Sequence, residues 1–177
     1  AQEKNGYCFT DLGLAPGWVN ILAEKVYENV AASTQVERVE LRCGGLPQEP
    51  ANPPLNYECT WSLEGLVNEY ADDCEVIEDG EKLTVPGMSG LEAMVLDDNI
   101  KMEAFCTSGG LSHTIESMLV KGVETCNYKT IRYPGHAEVV SLLLKHLPNE
   151  NVADLLITLV RCNEPQPVLF LWSHTCY

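Results

Sequence analysis

The sequence predicts an α+β domain in which helices pack on a mixed, largely antiparallel sheet. Three observations carry that expectation. The run VERVELRC alternates apolar Val39, Leu41 and Cys43 with charged Arg38, Glu40 and Arg42, the period-two pattern of a half-buried strand. Asp79-Gly80 sits between CEVIE and EKLTV, a pair that takes positive φ cheaply and so joins antiparallel strands. Apolar helical stripes open twice behind Pro-Gly, in DLGLAPGWVN and TIRYPGHAEV, where proline is already set for a first helical turn.

Taken in order, a short apolar segment at Tyr7 to Phe9 leads to a first helix whose stripe is Trp18, Ile21, Leu22, Val26 and Val30. The strand around Val39 follows, and the Gly- and Pro-rich stretch 44–56 predicts a shaped loop. YECT reads as a short strand leading to Ser62, the N-cap of a helix carrying Leu63, Leu66, Val67 and Tyr70. Beyond the hairpin, strands are predicted near Ala93 to Leu96, Ile100 to Cys106 and Val123 to Tyr133, with a short helix after Ser112. A helix over His136 to Leu147 comes next, and the apolar run Leu155 to Val160 reads as a buried strand.

At 177 residues the chain suits one domain spanning 1–177. Its 26 acidic against 11 basic side chains give a net charge of −15, which repels nucleic acid and anionic membranes, so neither is expected as a partner. No apolar run approaches the roughly 18 residues of a membrane span. Eight cysteines lie far apart with no CxxC and no Cys/His ligand spacing, so no metal is expected. With no signal peptide at its start the chain reads as cytoplasmic, its thiols reduced. AQEKNGYCFT has no initiator methionine and reads as the middle of a longer protein.

Chemistry concentrates at the Pro-Gly helix entries, where free N–H groups and the helix dipole favour an anion. LAPGWVN reads as a tight turn. IRYPGH adds the guanidinium of Arg132 and donors from Tyr133 and His136, so carboxylate binding and a surface salt bridge both stay open. TSGG, with Thr107, Ser108 and Gly109, suits either the close approach of a polar ligand or a turn with an N-cap. Cys43, in CGGLP at the predicted end of a strand, is either a ligand contact or a small core residue. His113 and His146 read as exposed or capping. No GxSxG, P-loop or GxGxxG occurs.

DLGLAPGWVNILA, CGGLPQEPANPPLNYECTWSLEGLVNEY, EAFCTSGGLSHTI and YKTIRYPGH, in that order over about 11–160, resemble the second domain of the saccharopine dehydrogenase family. That family includes saccharopine reductases, lysine 6-dehydrogenases and carboxynorspermidine dehydrogenases. The resemblance implies a substrate-binding and dimerising domain of an NAD(P)-dependent oxidoreductase acting on the C–N bond of a lysine-type amino acid. NAD or NADP would be held by a Rossmann domain absent from this fragment, which alone should neither bind nucleotide nor turn over. It further implies substrate contacts at Cys43, Thr130 and Arg132. Ala15 stands where saccharopine reductases carry an aspartate, with Asp11 four residues earlier. The Thr107 to Gly110 segment replaces an arginine they carry. Arg132 would clamp a substrate carboxylate, assisted by the amides of Gly135 and His136, and Tyr133 or His136 would handle the proton on nitrogen. The partners implied are a small amino acid and a second copy of the chain. A carboxynorspermidine-type substrate, or a non-catalytic dimerising module, is the alternative. Residues 161–177 do not resemble the family's return to the Rossmann domain and read as a divergent or truncated tail.

Overall fold

A computed structural model describes residues 7–96 and 99–160, together with the backbone of 168–176. It has five helices, α1 (Trp18–Ala31), α2 (Leu63–Ala71), α3 (Thr114–Val120), α4 (His136–His146) and α5 (Asn149–Leu159). Seven strands accompany them: β1 (Arg38–Pro47), β2 (Cys74–Glu78), β3 (Glu81–Val85), β4 (Glu92–Val95), β5 (Lys101–Cys106), β6 (Thr125–Arg132) and β7 (Val168–Cys176). All seven join one sheet in the order β3-β2-β6-β1-β7, and β5 pairs the remaining length of β6 with β4 outside it. Only β1 and β6 run parallel; every other pair is antiparallel. The α+β expectation holds.

Local chemistry explains the elements read correctly. The Ser62 hydroxyl accepts the Gly65 amide at 3.1 Å and starts α2. Asp79 and Gly80 take φ of 52° and 76°, which lets β2 turn directly into β3. Two clusters form the interior. Val39, Leu41, Cys126 and Tyr128 of the central strands pack with Val19 of α1 and Ile115 of α3. Leu46, Phe105 and Ile131 pack with Leu66, Val140 and Leu156 of α2, α4 and α5.

Four expectations are corrected. Residues 155–160 lie in or just beyond α5: buried Val152, Ala153, Leu156 and Val160 recur at helical spacing, which a six-residue window hides. The segment 57–60 has no ladder partner; Tyr57 is instead held by packing its side chain into the core cluster with Leu55 and Leu66. β1 does not stop at Cys43 but runs through Gly44 and Gly45 to Pro47. Gly44 permits this, since a methyl there would fall 2.7 Å from the Ile131 carbonyl oxygen. On α1 the predicted stripe holds only in part: Leu22, Val26 and Val30 are half-buried, but Trp18 and Ile21 are exposed while Val19, Asn20 and Ala23 are buried. The face is set by a polar residue. Asn20 Nδ2 donates among Gly110 O, Leu111 O and Thr114 Oγ1 at 2.9–3.0 Å, and Asn20 Oδ1 accepts the Gly17 amide at 2.7 Å.

Residues 161–167 and 177 lie outside the described residues, but 168–176 form β7, antiparallel to β1 from Val39 to Pro47. Among the described residues no helix is long and apolar enough to cross a membrane. Cys8, Cys43, Cys59, Cys74 and Cys106 are free thiols.

Candidate functional site

Strand alternation sorts the YKTIRYPGH segment onto two faces. Lys129 joins Arg42 on one face, both donating to the Glu92 carboxylate at 2.6 Å, an ion network that serves the sheet. Tyr128, Thr130 and Arg132 point the other way and line a cavity of about 320 Å³. Cys43 stands beside Thr130 in the β1–β6 register and lines it too. The wall is completed by Gly13, Leu14 and Ala15 before α1, by Gly44 and Gly45, and by Thr60, Trp61 and Glu69 around α2.

Among the described residues Arg132 is the only cationic side chain lining this cavity, and it is 4% exposed. Its Nε donates to the Tyr70 hydroxyl at 2.7 Å and its Nη1 to the Ile131 carbonyl at 2.8 Å. The guanidinium lies 4.9 Å from the ring centre of Tyr57 and 5.7 Å from that of Tyr70. No carboxylate forms an ion pair with it among the described residues. A buried cation without a counter-ion is costly, and one that faces a cavity is arranged for an anion that arrives from outside.

His136 and Tyr133 are not brought to this cavity. His136 is 1% exposed with both ring nitrogens engaged. Arg132 uses the Tyr70 oxygen as acceptor, so the Tyr70 hydroxyl donates onward to His136 Nε2 at 3.2 Å, and Nδ1–H donates to the Leu55 carbonyl at 2.9 Å. Burial first, and then the nearby Arg132 charge, drives its pKa down to about 3, so it stays a neutral brace. The Tyr133 hydroxyl is shared between the carbonyls of Pro47 and Gln48 at 2.9 and 3.0 Å, tying the turn between β6 and α4 to the end of β1.

The helix mouth does hold an anion, but one from inside the protein. Glu103 accepts the Gly135 amide at 3.0 Å and the Ala137 amide at 2.6 Å, so Gly135 has no free N–H to offer a ligand. Thr107 is buried with its hydroxyl 2.7 Å from that of Thr130, behind the cavity wall. Thr107 and Gly109 line a second hollow on the far side of Tyr128, with Asp73 and Glu75. Ser108 donates its amide to the Glu69 carbonyl and lines neither hollow. Asp11 accepts from the Ser112 hydroxyl and also stays outside the main cavity. Thus Cys43, Thr130 and Arg132 come together, and the other predicted site residues do not.

Cys43 is a wall residue, since burial raises its thiol to about 11 and leaves it protonated. Glu69, Trp61 and Tyr128 were missed by motif reasoning, although the quoted TWS, NEY and YKT segments contain them. Glu69 makes no side-chain hydrogen bond or ion pair among the described residues, and burial lifts its pKa to about 7 against the opposing pull of Arg132. Tyr128 divides the two hollows, its ring packed flat on Gly110. A methyl at Gly110 would fall 2.0 Å from Tyr128 Cδ1, so Gly110→Ala is expected to push that ring into the cavity and destabilise the fold by about 1–3 kcal/mol. Urea unfolding with an unchanged midpoint would show that the ring moves freely.

Comparison with known proteins gives the family and the fold. The family model "Saccharopine dehydrogenase C-terminal domain" matches residues 13–159. A saccharopine dehydrogenase (NADP+, L-glutamate-forming) of Schizosaccharomyces pombe is 27% identical over 148 residues, covering 81% of this chain and 33% of that protein. The mitochondrial alpha-aminoadipic semialdehyde synthase of Mus musculus is 23% identical over 141 residues, 76% of this chain and 15% of that one. The chain therefore spans a third or less of these relatives. The solved structure of apo histidine-tagged saccharopine dehydrogenase (L-Glu forming) from Saccharomyces cerevisiae shares the fold, with a TM-score of 0.59 and 24% identity over 73% of this chain and 30% of that one.

Proposed function

The chain belongs to the saccharopine dehydrogenase family as its C-terminal domain, and from that footing we propose that it is the substrate-binding and dimerising part of an NAD(P)-dependent oxidoreductase acting on the C–N bond of a lysine-type amino acid. The relatives are oxidoreductases of lysine metabolism, which supports the reaction class. The observation that carries the reading is Arg132, a buried guanidinium that forms no ion pair among the described residues, set in the wall of a cavity sized for a small metabolite.

The role derived for this chain is binding and orientation. Five N–H donors less the two already used leave three on Arg132, enough for a two-pronged bond to a ligand carboxylate. Thr130 and the backbone at Cys43 to Gly45 border the same space, and Trp61 supplies an apolar wall for a methylene chain. No G-x-G-x-x-G turn occurs in the sequence, so no residue here is assigned to the nucleotide; its site is proposed on a separate Rossmann domain.

Calorimetric titration with L-saccharopine and L-lysine tests the reading. Saturable binding of at least one, with no heat from NAD or NADP, is expected. If neither amino acid binds at millimolar concentration, the cavity is not a substrate site.

A further inference from the structure

The same cavity as Arg132 is lined by a second charged side chain. Glu69 comes from the last turn of α2, and its carboxylate makes no hydrogen bond or ion pair among the described residues. A carboxylate and a guanidinium facing one small space would ordinarily close on each other, since the attraction grows as water is removed. Here they do not. Arg132 is tethered through Nε to Tyr70 and through Nη1 to Ile131 O, and it lies against the Tyr57 ring, so it is held back from Glu69. The cavity is left with a positive and a negative group in its lining that form no ion pair with each other.

We infer that Glu69 binds a ligand ammonium, so that the cavity takes the zwitterionic head of an α-amino acid with its carboxylate on Arg132 and its α-ammonium on Glu69. This rests on the carboxylate-binding role proposed for Arg132 and specifies the ligand class of that site. An α-amino acid carries both charged groups on one carbon and can pair with the two side chains as a unit. A simple carboxylic acid would leave Glu69 unpaired.

Among the described residues lining the cavity, Glu69 is the one that titrates near neutrality. Its charged and titratable neighbours are Arg132 and Tyr128 on β6, Cys43 on β1 and Tyr70 on α2. Burial raises Cys43 to about 11 and raises both tyrosines further, while the His136 brace sits at about 3. With its own pKa near 7, Glu69 is mostly protonated at pH 5.5 and mostly charged at pH 7.5.

The test compares L-lysine with 6-aminohexanoate, which keeps the carboxylate and the distal amine but lacks the α-ammonium. Binding to the wild-type chain and to Glu69→Gln is measured by calorimetry at pH 5.5 and 7.5. Wild type is expected to bind lysine about tenfold more tightly at pH 7.5 than at 5.5, following ionisation of the carboxylate. Glu69→Gln should abolish that rise and weaken lysine binding about tenfold at pH 7.5, leaving 6-aminohexanoate within twofold at both pH values. If lysine binding is independent of pH in wild type, or if the variant weakens both ligands alike, Glu69 does not read the α-ammonium. The inference about Glu69 then fails alone, because both ligands still report the carboxylate site. If wild type binds neither compound, the underlying reading of Arg132 fails with it.

Discussion

Arg132→Lys is expected to weaken binding of a carboxylate-bearing amino acid by about 1.5–3 kcal/mol, roughly 10- to 150-fold. Lysine keeps the charge but loses the planar fork. In the native site that fork is already oriented, because Tyr70 and Ile131 O take two donors and the guanidinium lies against the ring of Tyr57. An ammonium at the end of a flexible stem can satisfy Tyr70 or the ligand, and serving one leaves the other short. The same tethers mean that the variant loses stability too, by about 1–2 kcal/mol for the bonds no longer made in good geometry. Affinity measured on the folded fraction separates the two effects. A dissociation constant within twofold of wild type, alongside a lowered melting temperature, would make Arg132 a purely structural residue and move the carboxylate site elsewhere.

How much of this was legible in the sequence depends on the range of the interaction. The hairpin at Asp79-Gly80 and the Ser62 cap use partners within three residues, and both appear as expected. So does the shared face of Thr130 and Arg132, because strand alternation is itself local. The helix mouth at Gly135 was rightly read as a seat for an anion, yet its occupant is Glu103, 32 residues upstream on the neighbouring strand. Nothing in IRYPGH announces that partner. Pairing β5 with β6 puts Glu103 opposite Arg132 in register, and the same pairing sends its carboxylate to the amides of Gly135 and Ala137.

Histidine misled for a related reason. A histidine two residues after a tyrosine-proline step looks like an acid/base because its ordinary pKa suits that work. Its chemistry is decided instead by Tyr57, Tyr70 and Phe105, whose rings lie 5.5, 5.8 and 6.4 Å from its own. Those residues come from three separate segments. Glu69 escaped for the opposite reason: a glutamate on a short helix is usually solvated, and only the convergence of α2 with β6 gives it a cavity wall and Arg132 as its counterpart.

The second large effect expected is acid lability traced to His136. The imidazole is neutral in the folded protein down to about pH 3, whereas in the unfolded chain it takes up a proton near its ordinary 6.5. Between those values the unfolded state binds more protons, so stability is lost as pH falls from about 6.5 toward 3. By pH 5 the loss amounts to about 2 kcal/mol, a large share of the stability of a domain of this size. Glu69 works in the other direction. Its raised pKa means that its own penalty grows as pH rises from about 4.5 through 7, so the raw pH profile mixes the two. His136→Asn separates them, because the amide is uncharged throughout and Glu69 is common to both proteins. In urea titrations at pH 7 and pH 5, wild type should lose about 2 kcal/mol more than the variant. Ligand affinity should follow the titration of Glu69 alike in both proteins over this interval, because the folded-state ring stays neutral and keeps its lone pair for the Tyr70 hydroxyl. A stability difference that stays flat between pH 7 and 5 would mean that His136 is not held neutral, and the chain of bonds from Leu55 O through His136 and Tyr70 to Arg132 would have to be redrawn.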